Sequence, residues 1–152
     1  MMRLPVPVQV RWSDLDAYGH VNNAALLTLL EEARVTAFWA GGPEDAPTTA
    51  IIDAGPGASS LTVIARQESE YLGQIPHHRL PLVVEIWIGR MSGASMDVCY
   101  EVHAPDRSQV YARAQTTVVM LDAASGRPRR LTAEERAAWE PYLEEPVAFR
   151  RR

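Results

Sequence analysis

The chain has 152 residues, a formal net charge of -4, one cysteine and a basic complement made entirely of Arg. That length predicts a single domain over residues 1–152, and the acidic balance excludes a nucleic-acid binder, which needs a concentrated positive field. Cys99 alone cannot close an internal disulfide, the opening MMRLPVPVQVRW lacks the apolar run of a signal peptide, and no stretch reaches bilayer length, so a cytoplasmic protein without a membrane span is expected.

From Pro5 to Trp12, Val6, Val8, Val10 and Trp12 alternate with Pro7, Gln9 and Arg11, the period of a strand with one buried face. The segment SDLDAYGHVNNAALLTLLEEAR follows, Ser13 to Arg34, in which Asp14, Asp16, His20, Asn22 and Asn23 crowd together and Gly19 lets the backbone turn. Leu26, Leu27, Leu29, Leu30, Ala33, Ala37 and Phe38 then predict a helix from about Asn22 to Trp39. They cover more than one stripe, so the helix is expected to be enclosed on several sides, with its first N–H groups available to developing negative charge. Gly41, Gly42 and Pro43 stop it.

Ser59 to Tyr71 reads as a long strand with Leu61, Val63 and Ala65 on one face and Thr62, Arg66, Glu68 and Glu70 on the other. Leu82 to Gly89, a turn at Arg90 to Ala94, Met96 to Val102 and Val110 to Leu121 predict an antiparallel meander. Thr132 with Glu135 forms a capping-box pattern, so a short helix begins there and Pro141 limits it. The whole is an α+β domain whose sheet wraps one buried helix. Thr62, Ile64, Arg66, Val83, Trp87 and Tyr111 leave mixed outer faces too apolar for a solitary monomer, which predicts a homodimer or homotetramer. Arg150, Arg151 and Arg152 read as a solvated tail.

Taken as residues alone, Asp16 reads either as a cap for the turn or as a general base, and Asn22 and Asn23 either as caps or as parts of a site. Asp14 reads as a turn-stabilising residue. Glu32 and Arg34 suggest an ion pair, buried or interfacial. His77, His78 and His103 lack partners at ligand spacing, so no metal site is expected. Arg127, Arg129 and Arg130 read as solvated, with phosphate contact as the other reading.

The DxDxxGHVNN string of Asp14 to Asn23 and GluGluAlaArg at Glu31 to Arg34 resemble the hotdog-fold acyl-CoA thioesterases of the 4-hydroxybenzoyl-CoA thioesterase superfamily. ArgGlnGluSerGluTyrLeu at Arg66 to Leu72 and the stretch AspAlaAlaSerGlyArgProArgArgLeu add to the likeness, which covers roughly Val6 to Leu143. The resemblance implies a curved antiparallel sheet around a long central helix, sites between subunits, and hydrolysis of an acyl thioester. The HisValAsnAsn form is similar to members that act on fatty acyl thioesters. By position the resemblance makes Asp16 the catalytic carboxylate, as general base or nucleophile, with His20 beside it and the Asn23 backbone N–H as oxyanion donor. Tyr18, Gly19, Asn22 and Leu26 become substrate-binding positions. Arg90, Ser92 and Ser95, on the turn between two strands, become contacts for coenzyme A, which enters as part of the substrate; no other cofactor is implied. Two positions depart: Leu26 stands where relatives often carry an aromatic residue, and Tyr18 where plant acyl-carrier-protein thioesterases carry Asn. A hydratase or dehydratase using Asp16 and His20, and a non-catalytic acyl-thioester binding protein, are the competing readings.

Overall fold

The alternation of Leu4, Val6 and Val8 with Pro5 and Pro7 sets β1, Leu4–Val8, with its apolar side chains buried. Proline offers no N–H to a further strand, which suits the edge that β1 forms by pairing only with β3, Leu82–Met91. The computed structural model describes residues 2–53 and 55–150. Val10 stays buried beyond β1, but Trp12 does not continue the strand. Asp14 accepts the Arg11 N–H at 2.7 Å and its guanidinium at 2.8 Å, which closes a 3-10 turn over Trp12–Asp14 and leaves Trp12 77% exposed.

The meander forms as expected from β3, β4 (Ser95–His103) and β5 (Val110–Asp122), while β2 (Ser60–Tyr71) pairs with β5. The sheet order is β1-β3-β4-β5-β2, all antiparallel. Register shifts between Ile64 and Arg66, Ile88 and Arg90, and Val102 and His103 insert extra residues that curve the sheet.

Helix α1, Asn23–Phe38, is 16 residues long and packs on β1 and β3. Its buried residues, Leu26, Leu29, Leu30, Ala33, Ala37 and Phe38, recur at the 3.6-residue period, whereas Thr28, Glu31, Glu32 and Val35 face outward. The expected enclosure is therefore corrected to burial on a single stripe, with Leu27 half-buried beside it. Arg34 is buried; it donates to the Tyr100 hydroxyl at 3.0 Å and lies 3.5 Å from Glu31, so the helix ion pair uses Glu31 instead of Glu32.

Helix α2, Ala133–Trp139, starts at the anticipated capping box, with Thr132 Oγ1 accepting the Glu135 N–H at 3.0 Å and Glu135 accepting the Thr132 N–H at 2.8 Å. Arg129 is drawn out of solvent by a two-pronged contact with Glu135 at 2.8 and 2.9 Å. Trp139 closes that end of the core, its ring edge-on to Phe38 at 5.8 Å.

The chain beyond α2 lies against the outer face of the sheet. Leu143 bridges to Ile88, Arg3 holds Glu144 at 2.6 Å, and Trp87 donates to the Glu145 carbonyl at 2.9 Å. Trp87 is thus covered by its own chain, and Tyr111 is buried with its hydroxyl 2.9 Å from His78 Nε2, so neither belongs to an exposed patch. The backbone N–H of Arg150 donates to Glu70; Arg151 and Arg152 lie outside the described residues. Leu61, Val63 and Ile64 on β2 do remain exposed, as does Ala65. Among the described residues, no helix is long and apolar enough to cross a membrane.

Candidate active site

The polar segment between β1 and α1 is folded by its own side chains. Asp16 Oδ1 accepts the N–H groups of Tyr18 at 2.8 Å and His20 at 3.4 Å, while the Gly19 N–H returns to the Asp16 carbonyl at 3.0 Å. Gly19 has φ +79, a left-handed conformation that costs a residue with a Cβ. The Val21 N–H donates to Ile75 at 2.8 Å and His20 bridges to Pro76, which ties the loop to the segment after β2. Asp14 is buried beneath it. Burial alone would raise its carboxyl, but the Arg11 hydrogen bonds outweigh that and hold it below the ordinary aspartate range, so the turn-stabilising assignment stands.

Asn22 ends the loop as N-cap, its side chain accepting the Ala24 N–H at 2.8 Å. Its carbonyl accepts from Leu26 at 3.0 Å. The Asn23 N–H, at the positive end of α1, has no acceptor among the described residues.

These groups meet at a cavity of about 280 Å³. Asp16, Tyr18, His20, Asn23 and Leu26 line it, as do Val21, Tyr71, Gly73, Gln74 and Ile75. Two lining residues besides Asn23 have unspent hydrogen-bonding capacity. One carboxylate oxygen of Asp16, Oδ2, makes no protein hydrogen bond among the described residues, and His20 Nδ1 is buried without a partner. A larger cavity of about 530 Å³ between β1 and the end of α1 is walled by Pro5, Pro7, Val35, Trp39, Pro43 and Pro47 and holds no acid–base pair.

Gly19 and Asn22 do not line the 280 Å³ cavity; they shape its rim through turn and cap. Arg90, Ser92 and Ser95 are also absent from it. Ser95 shares a register row with Val119, and Tyr71 one with Ala112, so the hairpin stands roughly 20 Å away along the sheet at about 3.3 Å per residue. Tyr71 was within reach of sequence reading through its ArgGlnGluSerGluTyrLeu motif. Gln74 and Ile75 arrive only because the loop folds back onto α1, for which no local pattern speaks.

His103 gains a partner, Glu85, that linear spacing hides, beside Glu101 two residues before it. Its Nε2 lies 3.1 Å from Glu85 on the neighbouring β3 and 3.0 Å from Glu101 on β4 itself. The three ligand-type atoms fall within 4.8 Å of one another, but Arg3, Arg107 and Arg113 also reach those carboxylates, which makes the group an ion-pair network. Burial works to raise Glu85, yet Arg107, His103 and Arg3 together lower it.

Residues 10–145 match the model of the thioesterase-like superfamily. The chain belongs to this superfamily. Its activity class is thioester hydrolysis. A candidate thioesterase from Pseudomonas aeruginosa is similar at 27% identity and TM-score 0.72, over 90% of this chain and 98% of that one. A Thermus thermophilus thioesterase solved with coenzyme A and zinc is similar at 27% identity and TM-score 0.69, over 93% and 95%. The 1,4-dihydroxy-2-naphthoyl-CoA thioesterase of Synechocystis, at 20% identity and TM-score 0.71 over 90% and 95%, shares the fold. No curated protein matches the chain.

Proposed function

We propose that this protein hydrolyses an acyl-CoA to the free acid and coenzyme A, with Asp16 and the tip of α1 acting on the same thioester carbonyl. The observation that carries this reading is the shared cavity, lined both by Asp16, whose carboxylate has a spare oxygen, and by Asn23, whose helix-tip N–H has no acceptor among the described residues. With the carbonyl oxygen on the Asn23 N–H, negative charge developing on that oxygen meets a fixed donor and the helix dipole. Asp16 either removes a proton from water as the water attacks, or attacks the carbonyl carbon itself to give an anhydride that water then opens; both routes expel the CoA thiolate. His20, which lines the same cavity, holds the attacking water or the carbonyl. Leu26, Val21 and Ile75 take the acyl group, and Tyr18 and Gln74 stand at the mouth.

The working form is a homodimer joined through β2. That edge is 12 residues long, contains no proline, and exposes Leu61, Val63 and Ile64. A second copy seated there would also complete the enclosure of α1. Antiparallel pairing of two β2 strands brings the hairpin of the second copy to the end of the sheet that bears Tyr71, so Arg90, Ser92 and Ser95 meet the coenzyme A tail across the subunit boundary. A buried, reduced Cys99, whose thiol is pushed up to about 11 chiefly by burial, fits a cytoplasmic setting.

The test is thiol release from a panel of acyl-CoAs, run beside the ultraviolet absorbance of an enoyl-CoA. Free thiol is expected. Loss of enoyl absorbance without thiol would mean a hydratase, and saturable binding with neither would mean a binding protein.

A further inference from the structure

We infer that Tyr71 is a positioning residue that fixes the direction of the Asn23 N–H. The inference rests on the thioesterase reading for its kinetic consequence, while its geometry stands independently. Two peptide units flank the Asn23 Cα. The preceding one, which carries the N–H, is held at its carbonyl by the Leu26 N–H at 3.0 Å. The following one is held at both ends: the Ala24 N–H donates to Asn22 Oδ1 at 2.8 Å, and the Asn23 carbonyl accepts the Tyr71 hydroxyl at 3.0 Å.

The Ala24 N–H is therefore spent, and of the two first-turn N–H groups without an acceptor among the described residues, those of Asn23 and Ala25, only the first belongs to a residue that lines the cavity. Asn23 is exposed and begins the helix, where a turn frays most readily. Tyr71 closes β2 with its backbone paired to Ala112, so its hydroxyl links the helix tip to the sheet. Because that hydroxyl donates to a carbonyl, its proton is committed, and Tyr71 does not act as an acid in the reaction. Its value is geometric: a small misplacement of a donor weakens stabilisation of the oxyanion far more than it weakens substrate binding.

Tyr71→Phe keeps the ring and removes only the hydroxyl. The expected result is a fall in kcat of about tenfold with KM within about twofold of wild type. Unchanged kcat, or a rise in KM alone, would overturn the assignment, since the hydroxyl would then be idle or a plain substrate contact. Hydrogen exchange of the Ala24 amide, followed in 15N-labelled protein, is the second readout. Faster exchange in the variant is expected, by roughly fivefold or more, with core amides unaltered; equal rates would overturn the proposal. If wild type releases no thiol from any acyl-CoA, the thioesterase reading fails, and the Ala24 exchange decides the positioning role by itself.

Discussion

The loop at Asp16 and the hairpin at Ser92 are built from similar polar residues, but they differ in what those residues have left to offer. In the hairpin, Ser92 and Ser95 join their hydroxyls at 2.6 Å, the Ser92 carbonyl accepts from Arg136 at 2.8 Å, and the Gly93 carbonyl accepts from Leu131 at 2.9 Å. Of the hairpin's own polar side chains Arg90 alone stays mostly exposed, 3.4 Å from Asp97. In the loop, hydrogen bonds fold the backbone yet leave Asp16 Oδ2, His20 Nδ1 and the Asn23 N–H uncommitted at a cavity. Polar groups consumed internally stabilise; those left unpaired beside a cavity are able to act on a ligand. Changes to the uncommitted groups of the loop should therefore lower turnover with little effect on melting, and changes to the groups consumed around the hairpin should do the reverse.

The largest expected effect is on Asp16. Asp16→Asn keeps an oxygen to accept the Tyr18 and His20 N–H groups, so the loop persists, while kcat falls on the order of 100-fold or more. Near-normal turnover with an unchanged circular dichroism spectrum would erase the distinction between loop and hairpin.

Glu135, beside the hairpin, tests the opposite side. Burial works against its charge, but the Arg129 contact and the Thr132 N–H hold its carboxyl below the ordinary value of 4.5. Glu135→Gln should cost about 2 kcal/mol in urea unfolding and leave kcat within about twofold. A carboxyl lowered on folding contributes stability that is complete above its unfolded pKa and is lost as pH falls through the folded value. Glu144, lowered mainly by its hydrogen bond to Arg3, adds to the same dependence. The melting temperature should thus stay level from neutral pH to about pH 5 and decline below that, and the decline should be shallower in Glu135→Gln.

Arg90→Ala sharpens the comparison, because this side chain is the one member of the hairpin with reach to spare. KM for an acyl-CoA should rise by roughly three- to tenfold at constant kcat, with no change for a truncated pantetheine thioester that lacks the nucleotide. Equal effects on both substrates would remove the hairpin from coenzyme A recognition. The smallest effect is expected at Asn22, whose replacement by Ala removes the cap and should cost about 1 kcal/mol of stability, measured by denaturant titration.

The residues that the loop brings to the cavity were easier to group from sequence than those around them. Alternation over Leu82 to Leu121 was sufficient for the meander because each strand has a buried face, and Thr132 with Glu135 announced α2 through local hydrogen bonding alone. Trp12 misled because the apolar period runs through a position where Arg11 and Asp14 close a turn. Trp87 and Tyr111 misled for another reason: what covers them, Glu145 and His78, is remote in the chain. His103 found Glu85 only through strand register, whereas Glu101 stands two residues before it on β4. Asp16, His20 and Asn23 could be grouped because they lie within one short segment that lines the cavity, whereas Gln74 and Ile75 depend on a return of the chain that no period encodes.

The most direct test is a crystal structure of Asp16→Asn with an acyl-CoA bound. The thioester carbonyl oxygen is expected within hydrogen-bond distance of the Asn23 N–H, with residue 16 beside the carbonyl carbon. An acyl group seated instead between β1 and Trp39, or a carbonyl turned away from the tip of α1, would contradict the account.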